Sequence, residues 1–182
     1  MRIISGQFKG RQLHAPANLP VRPTTDRAKE ALFSYLQHRF ELADISVLDL
    51  FAGTGNISYE FASRGCENIV AVDQNAGCCR FIRSTIAQIG INGMAVNQAD
   101  VFAWLERNTG NFDIIFADPP YQLDRLKSLP GLILAKNMLK ADGLLILEHP
   151  TNHNFSTENG FLEARNYGQS VFSIFTATEI LS

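Results

Sequence analysis

Four consecutive residues, Asp118-Pro119-Pro120-Tyr121, have the types needed to handle an aromatic amine. Two prolines in a row stiffen the chain and remove two amide donors. What remains to face a ligand is the Asp118 carboxylate and the Pro119 carbonyl, both hydrogen-bond acceptors. An exocyclic NH₂ group brings two donors, so the loop fits one. The lone pair of such an amine is delocalised into its ring. Acceptors that hold both protons turn that lone pair out of conjugation and toward an electrophilic methyl. Asp118 can then take up the proton that is lost. Tyr121 offers a ring face on which a base stacks, a contact worth about 1–3 kcal/mol. Asp118, Pro119, Pro120 and Tyr121 are the candidate catalytic residues.

A second group lies upstream. Val47-Leu48-Asp49-Leu50-Phe51-Ala52-Gly53-Thr54-Gly55-Asn56 reads as a strand that runs into a glycine turn at a helix start. Such a turn lets a ligand approach the backbone and presents free amides to it. The third glycine position of a dinucleotide fingerprint is held by Ser58. Asp73 follows Gly53 by 20 residues and ends the next strand. That is where a ribose-binding carboxylate stands in a doubly wound sheet. Asp100 ends a third strand. Acids at consecutive strand ends outline one crevice. Asp49 bears on the charge of the ligand, because a carboxylate beside a pyrophosphate is repulsive. S-adenosylmethionine carries an ammonium and a sulfonium instead, which favours it over a nicotinamide dinucleotide.

These groups need a scaffold, and its pattern is legible. Thr24 or Thr25 caps a helix whose apolar positions Ala28, Leu32, Leu36 and Phe40 recur at helical spacing. Strands are expected at 45–50, 68–73, 95–99, 112–117 and 144–148, with helices at 57–64, 77–89 and 102–107. The stretch 123–139 is expected to be mostly helical. The strands are apolar runs without a period of two, as in a parallel sheet covered on both faces. After Pro150 the alternation stops, and 161–167 with 171–180 reads as an antiparallel hairpin. The expected fold class is α/β, a mostly parallel Rossmann-like sheet with an antiparallel C-terminal hairpin. Arg2–Ser5 and Arg11–His14 suggest a small β-hairpin ahead of it, followed by the proline-containing linker Ala15–Pro23. The division expected is 1–23 for hairpin and linker and 24–182 for the main domain.

Composition excludes other classes. The chain has 182 residues, 46% of them hydrophobic and 19% charged, which is ordinary for a globular domain. No apolar run approaches the 18 or so residues of a membrane span, and the N-terminus lacks the apolar core of a secretory signal. Three cysteines without metal-ligand spacing point to a reduced, cytoplasmic protein. The vicinal Cys78-Cys79 is read as inert, the four histidines as non-ligating, and Trp104 as core. Net charge is −2, but it is unevenly placed. Residues 1–40 hold Arg2, Lys9, Arg11, Arg22, Arg27, Lys29 and Arg39 against Asp26 and Glu30, a net +5. The remainder carries −7. A basic head on an acidic body suits a polyanionic partner.

The Asp-x-x-x-Gly-x-Gly turn resembles the first motif of Rossmann-like methyltransferases. The Asp118–Tyr121 loop resembles the (Asn/Asp)-Pro-Pro-(Tyr/Phe/Trp) box of amino methyltransferases. Taken with Ile3-Ile4-Ser5-Gly6, Lys9-Gly10-Arg11, Arg22-Pro23-Thr24-Thr25-Asp26-Arg27, Glu30-Ala31-Leu32-Phe33, Ser63-Arg64-Gly65 and Tyr167-Gly168, the chain resembles the RsmD family of bacterial methyltransferases over nearly its whole length. The N-terminal pieces are the more specific ones. Tyr59-Glu60-Phe61 and Cys66 depart from the family's smaller residues and read as packing changes.

The resemblance implies methylation of the N2 amine of a guanine in 16S ribosomal RNA, within the small ribosomal subunit, by a cytoplasmic monomer that uses S-adenosylmethionine and no metal. It places Asp49, Ala52, Gly53, Thr54 and Gly55 near the methionine part of the cofactor. Asp73 falls on the ribose, and Gln74, Asp100, Val101 and Phe102 around the adenine. Thr24 and Thr25 close over the cofactor. Arg2, Lys9, Arg11, Arg22 and Arg27 hold RNA, with the target base splayed out of its helix. Two alternatives remain from the residues alone: an adenine-N6 methyltransferase, since the same box serves that amine, and a non-catalytic RNA-binding module.

Overall fold

The computed structural model describes residues 1–19 and 24–177. Arg22, and the end of the hairpin expected to reach residue 180, lie outside the described residues. The apolar runs assemble into a seven-stranded sheet in the order β3-β2-β1-β4-β5-β7-β6. Strands β1 (Ser46–Leu50), β2 (Asn68–Asp73), β3 (Met94–Gln98), β4 (Phe112–Ala117) and β5 (Leu139–Pro150) are parallel. Strands β6 (Phe161–Tyr167) and β7 (Ser170–Thr176) form the expected antiparallel hairpin, with β7 antiparallel to β5.

Every residue of β1 is buried because both faces of the sheet are covered. Val47 packs with α1 (Asp26–Gln37), α2 (Asn56–Ser63) and α3 (Ala76–Ile89). Leu48 and Leu50 pack with α4 (Val101–Arg107) and α5 (Leu129–Ala135) on the other face. The chain leaves β1 toward β2 and β3, then crosses back to β4 on the opposite side. That reversal between β1 and β4 is the topological switch point at which α/β sheets hold ligands. No helix among the described residues is long and apolar enough to cross a membrane.

Thr25 caps α1, accepting from the Ala28 amide at 3.3 Å. The helix ends at Gln37, so Phe40 packs on the core from the following turn rather than from the helix. The N-terminal hairpin is a short backbone ladder, with Ile3 N–H on Arg11 O at 3.0 Å and Leu13 N–H on Met1 O at 2.9 Å. It packs into the core of the main domain through buried Ile3, Phe8 and Leu13. Gly6 adopts φ +81° against α2, and a Cβ there would lie 1.8 Å from the Ser63 carbonyl.

Two expectations are corrected. The segment 123–139 is only partly helical: a single 3₁₀ turn, Leu126–Ser128, precedes the seven-residue α5. Pro130 starts that helix, and Asn137 at φ +52° stops the chain from continuing it. The last parallel strand, expected over 144–148, spans Leu139–Pro150. Its polar beginning, Lys140-Ala141-Asp142-Gly143, concealed it. Leu139 pairs with Phe112, and Lys140 bonds Asp113 at 2.7 Å.

Candidate active site

One cavity of about 1500 Å³ runs along the carboxyl ends of the parallel strands. It exceeds the roughly 300–1,000 Å³ of a pocket for one small ligand, so a cofactor and a base fit side by side. The catalytic and cofactor residues expected from the sequence line it with one exception, whereas of the described RNA-binding candidates Arg27 lines it and Arg2, Lys9 and Arg11 do not. Gly55 caps α2 at φ +80° and turns its α-carbon to the core, where a Cβ would meet the Tyr59 ring at 3.0 Å and Ile82 at 3.1 Å.

The glycine turn is built around Asp73. One carboxylate oxygen accepts from Gly53 N–H at 2.8 Å and the other from Asn75 N–H at 2.7 Å. Each oxygen keeps a lone pair for a further donor. Ahead of the turn, Phe51 has φ +60°, a strained conformation for an aromatic residue. Its ring meets Phe102 edge to face at 6.3 Å between centroids. The two rings, Val101 and Gln74 border one end of the cavity. Asp100 caps α4, accepting from Ala103 N–H at 2.9 Å. The Thr54 side chain is buried, with its hydroxyl 3.7 Å from the Met1 sulfur.

The other end is acidic. Asp49 is buried and accepts from the Ser58 hydroxyl at 2.5 Å. Burial, with Asp73 nearby, pushes its carboxyl up to about 7 despite that bond. Asp118 is pushed well above the ordinary carboxylate range by burial, then by Glu148 and Asp49. Pro119 is buried and Pro120 exposed. The Pro120 carbonyl accepts from Leu123 N–H at 2.9 Å. Tyr121 is 38% exposed, and its hydroxyl lies 3.2 Å from Ser170 Oγ. The tip of the β6–β7 hairpin, Tyr167 to Ser170, thereby joins the cavity wall.

Glu148 is the main residue missed. It stands at the carboxyl end of the parallel sheet, 3% exposed, and accepts from the Thr24 hydroxyl at 2.9 Å. The rule that picked out Asp49, Asp73 and Asp100, an acid where a strand meets the crevice, also marks it. Phe51 carried no comparable signal.

The basic head is less basic than its count. Lys29 is buried and ion-paired to Glu60 at 3.0 Å. Arg2 pairs with Asp26 at 3.0 Å. Lys9, Arg11 and Arg27 are exposed, and Arg27 also lines the cavity. Cys78 and Cys79 are buried in α3, and burial raises both thiols, Cys78 to about 11. Such thiols are poor nucleophiles. Trp104 packs in the core.

The chain matches the family described as "Conserved hypothetical protein 95" over residues 1–176. It is 39% identical over 154 residues to "Putative rRNA methyltransferase YlbH" of Bacillus subtilis, covering 82% of both chains. It is 27% identical over 157 residues to "Ribosomal RNA small subunit methyltransferase D" of Escherichia coli, covering 86% of this chain and 78% of that one. Among solved structures, a hypothetical protein of Thermus thermophilus, TTHA0928, superposes with a TM-score of 0.85 at 31% identity, covering 97% of this chain and 99% of that one.

Proposed function

The chain belongs to the RsmD family of methyltransferases, and from that premise we propose that it methylates the N2 amine of a guanine in 16S ribosomal RNA, within the small subunit, using S-adenosylmethionine. The enzyme acts as a cytoplasmic monomer. The observation that carries the reading is the acidic end of the cavity. Asp49, Asp118 and Glu148 lie there, and Arg27 is the one basic side chain among the described lining residues. Such a donor set repels a pyrophosphate and fits a cationic cofactor followed by an amine-bearing base.

S-adenosylmethionine supplies a methyl group made electrophilic by its sulfonium. Asp73 binds the ribose hydroxyls, and Gln74, Asp100, Val101 and Phe102 enclose the adenine. Ala52, Gly53 and Thr54 bring the backbone close to the methionine part, with Gly55 setting the turn from behind. Asp49 faces the cationic end, and a positive charge there returns it and Asp118 toward the ionised form. Thr24 and Thr25, which line the cavity at the start of α1, close over the cofactor. The Asp118 carboxylate and Pro119 carbonyl hold the two amine protons, while Pro120 stiffens the loop and Tyr121 stacks on the base. The freed nitrogen pair is thereby aimed at the methyl that the bound cofactor would supply, with the thioether as leaving group. The proton lost from nitrogen passes to Asp118 and then to water. Arg2, Lys9, Arg11, Arg22 and Arg27 hold phosphates of the RNA.

Incubation with methyl-labelled S-adenosylmethionine and unmethylated small ribosomal subunits, followed by nucleoside analysis, tests the reading. N2-methylguanosine is the expected product. N6-methyladenosine, or no labelled nucleoside, overturns it.

A further inference from the structure

The Asp118–Tyr121 loop by itself serves a guanine amine or an adenine amine, so something else must read the base. The register of β4 and β5 pairs Ala117 with Leu147. Asp118 and Glu148 are therefore the next residues on neighbouring strands, spaced about 4.8 Å apart as parallel strands are. Both line the cavity. Glu148 is also held in place from behind. Its Oε2 accepts from the Thr24 hydroxyl at 2.9 Å, and the Thr24 carbonyl accepts from Asn56 Nδ2 at 3.0 Å. Asn56 Oδ1 in turn accepts from the buried Lys29 ammonium at 3.0 Å. An acid posed by a buried chain of hydrogen bonds is a fixed reading head rather than a mobile surface group.

The two bases differ at the atom beside the amine. Guanine has N1–H next to its N2 amine, so that edge presents donors on adjacent atoms. Adenine has a bare N1 lone pair next to its N6 amine. Two carboxylates side by side complement the first and face the second lone pair to lone pair. We propose that Glu148 is a specificity-determining residue that accepts the guanine N1–H while Asp118 holds the N2 amine. The assignment rests on the methyl-transfer reading above and adds the residue that restricts it to guanine.

The test separates the two claims. RNA is prepared with the mapped target as guanosine or as 2-aminopurine riboside, which keeps the C2 amine but has a bare N1. Methyl transfer is measured at pH 8 with the wild type and with Glu148→Gln, whose amide can donate to that bare N1. The wild type is expected to prefer guanosine by at least about 10²-fold in kcat/KM, as sites built to bind a donor reject analogues without it. In Glu148→Gln that preference narrows at least about tenfold, with S-adenosylmethionine affinity retained. Comparable wild-type rates on both RNAs overturn the assignment without touching methyl transfer, and this arm needs no folded variant. An unchanged preference in Glu148→Gln, or loss of its cofactor binding, also overturns it. No transfer to guanosine by the wild type removes the reading beneath it.

Discussion

The protein buries carboxylates in two regions and treats them in opposite ways. Behind α1, Glu60 meets Lys29 at 3.0 Å, the Ile4 amide at 2.9 Å and the Arg64 guanidinium. Cations and an amide compensate the acid, and the cluster ties the N-terminal hairpin to α1 and α2. In the cavity, Asp49 accepts from the Ser58 hydroxyl and Glu148 from the Thr24 hydroxyl, and among the described residues the charges that act on Asp49 and Asp118 are other carboxylates. There the carboxyls of Asp49 and Asp118 rise. Uncompensated burial of acids costs free energy, so it persists where a ligand uses it. Compensated burial is architecture.

Removing a compensating cation should have the largest effect. Lys29→Met leaves Glu60 with Arg64 as its one remaining cation, orphans the Arg2 carbonyl and Asn56 Oδ1 that Lys29 also bonds, and is expected to lower stability by about 3 kcal/mol, read by urea unfolding. A change below about 1 kcal/mol would dissolve the distinction. On the cavity side, Asp118→Ala should fold normally and bind S-adenosylmethionine as the wild type does. Its turnover should fall by about 10²–10³, equivalent to about 2.7–4 kcal/mol, by analogy with loss of an oxyanion-hole donor. Near-normal turnover would remove the loop from catalysis.

The pH dependence sharpens the contrast. Asp49 ionises near 7 when folded and near 3.8 when unfolded. Between those values the folded state holds the extra proton, so its contribution to stability is greatest at low pH and falls as pH rises toward 7. Asp49→Asn should flatten that part of the ligand-free stability curve measured by urea unfolding. A curve identical to the wild type would contradict the raised carboxyl. The smallest effect belongs to the surface. Replacing exposed Lys9 and Arg11 with alanine should weaken RNA binding and reduce the salt slope of log K by about 1.4–1.8, at about 0.7–0.9 per phosphate contact. Cofactor binding should not change, and an unaltered salt slope in filter-binding titrations would free the hairpin from an RNA role.

The cavity was largely legible because its logic is local. Buried parallel strands are apolar runs, and an acid or glycine where a run ends is conspicuous, as at Asp73 and Gly53. The compensated cluster was not legible. Lys29 counts as surface charge until Glu60, 31 residues away, is seen beside it. Gly55 read as a ligand contact because spacing alone does not say which side of a turn faces the core. The polar start of β5 hid behind Lys140 and Asp142, and the helix expected over 123–139 was cut short by Pro130 and Asn137. Each of these depends on a partner or backbone angle supplied by the folded chain.

Asp49 and Asp118, raised by burial and by neighbouring carboxylates, are poised for a cationic cofactor. Calorimetric titration of S-adenosylmethionine at pH 6.5, in two buffers of different ionisation enthalpy, tests this directly. Asp49 is then largely protonated and should release up to one proton as the positive charge arrives. Net proton release is expected on binding by the wild type, and a clear reduction of it in Asp49→Asn, where Asp118 alone remains to release. Binding with no proton release, or tight binding of a nicotinamide dinucleotide in place of S-adenosylmethionine, would contradict it.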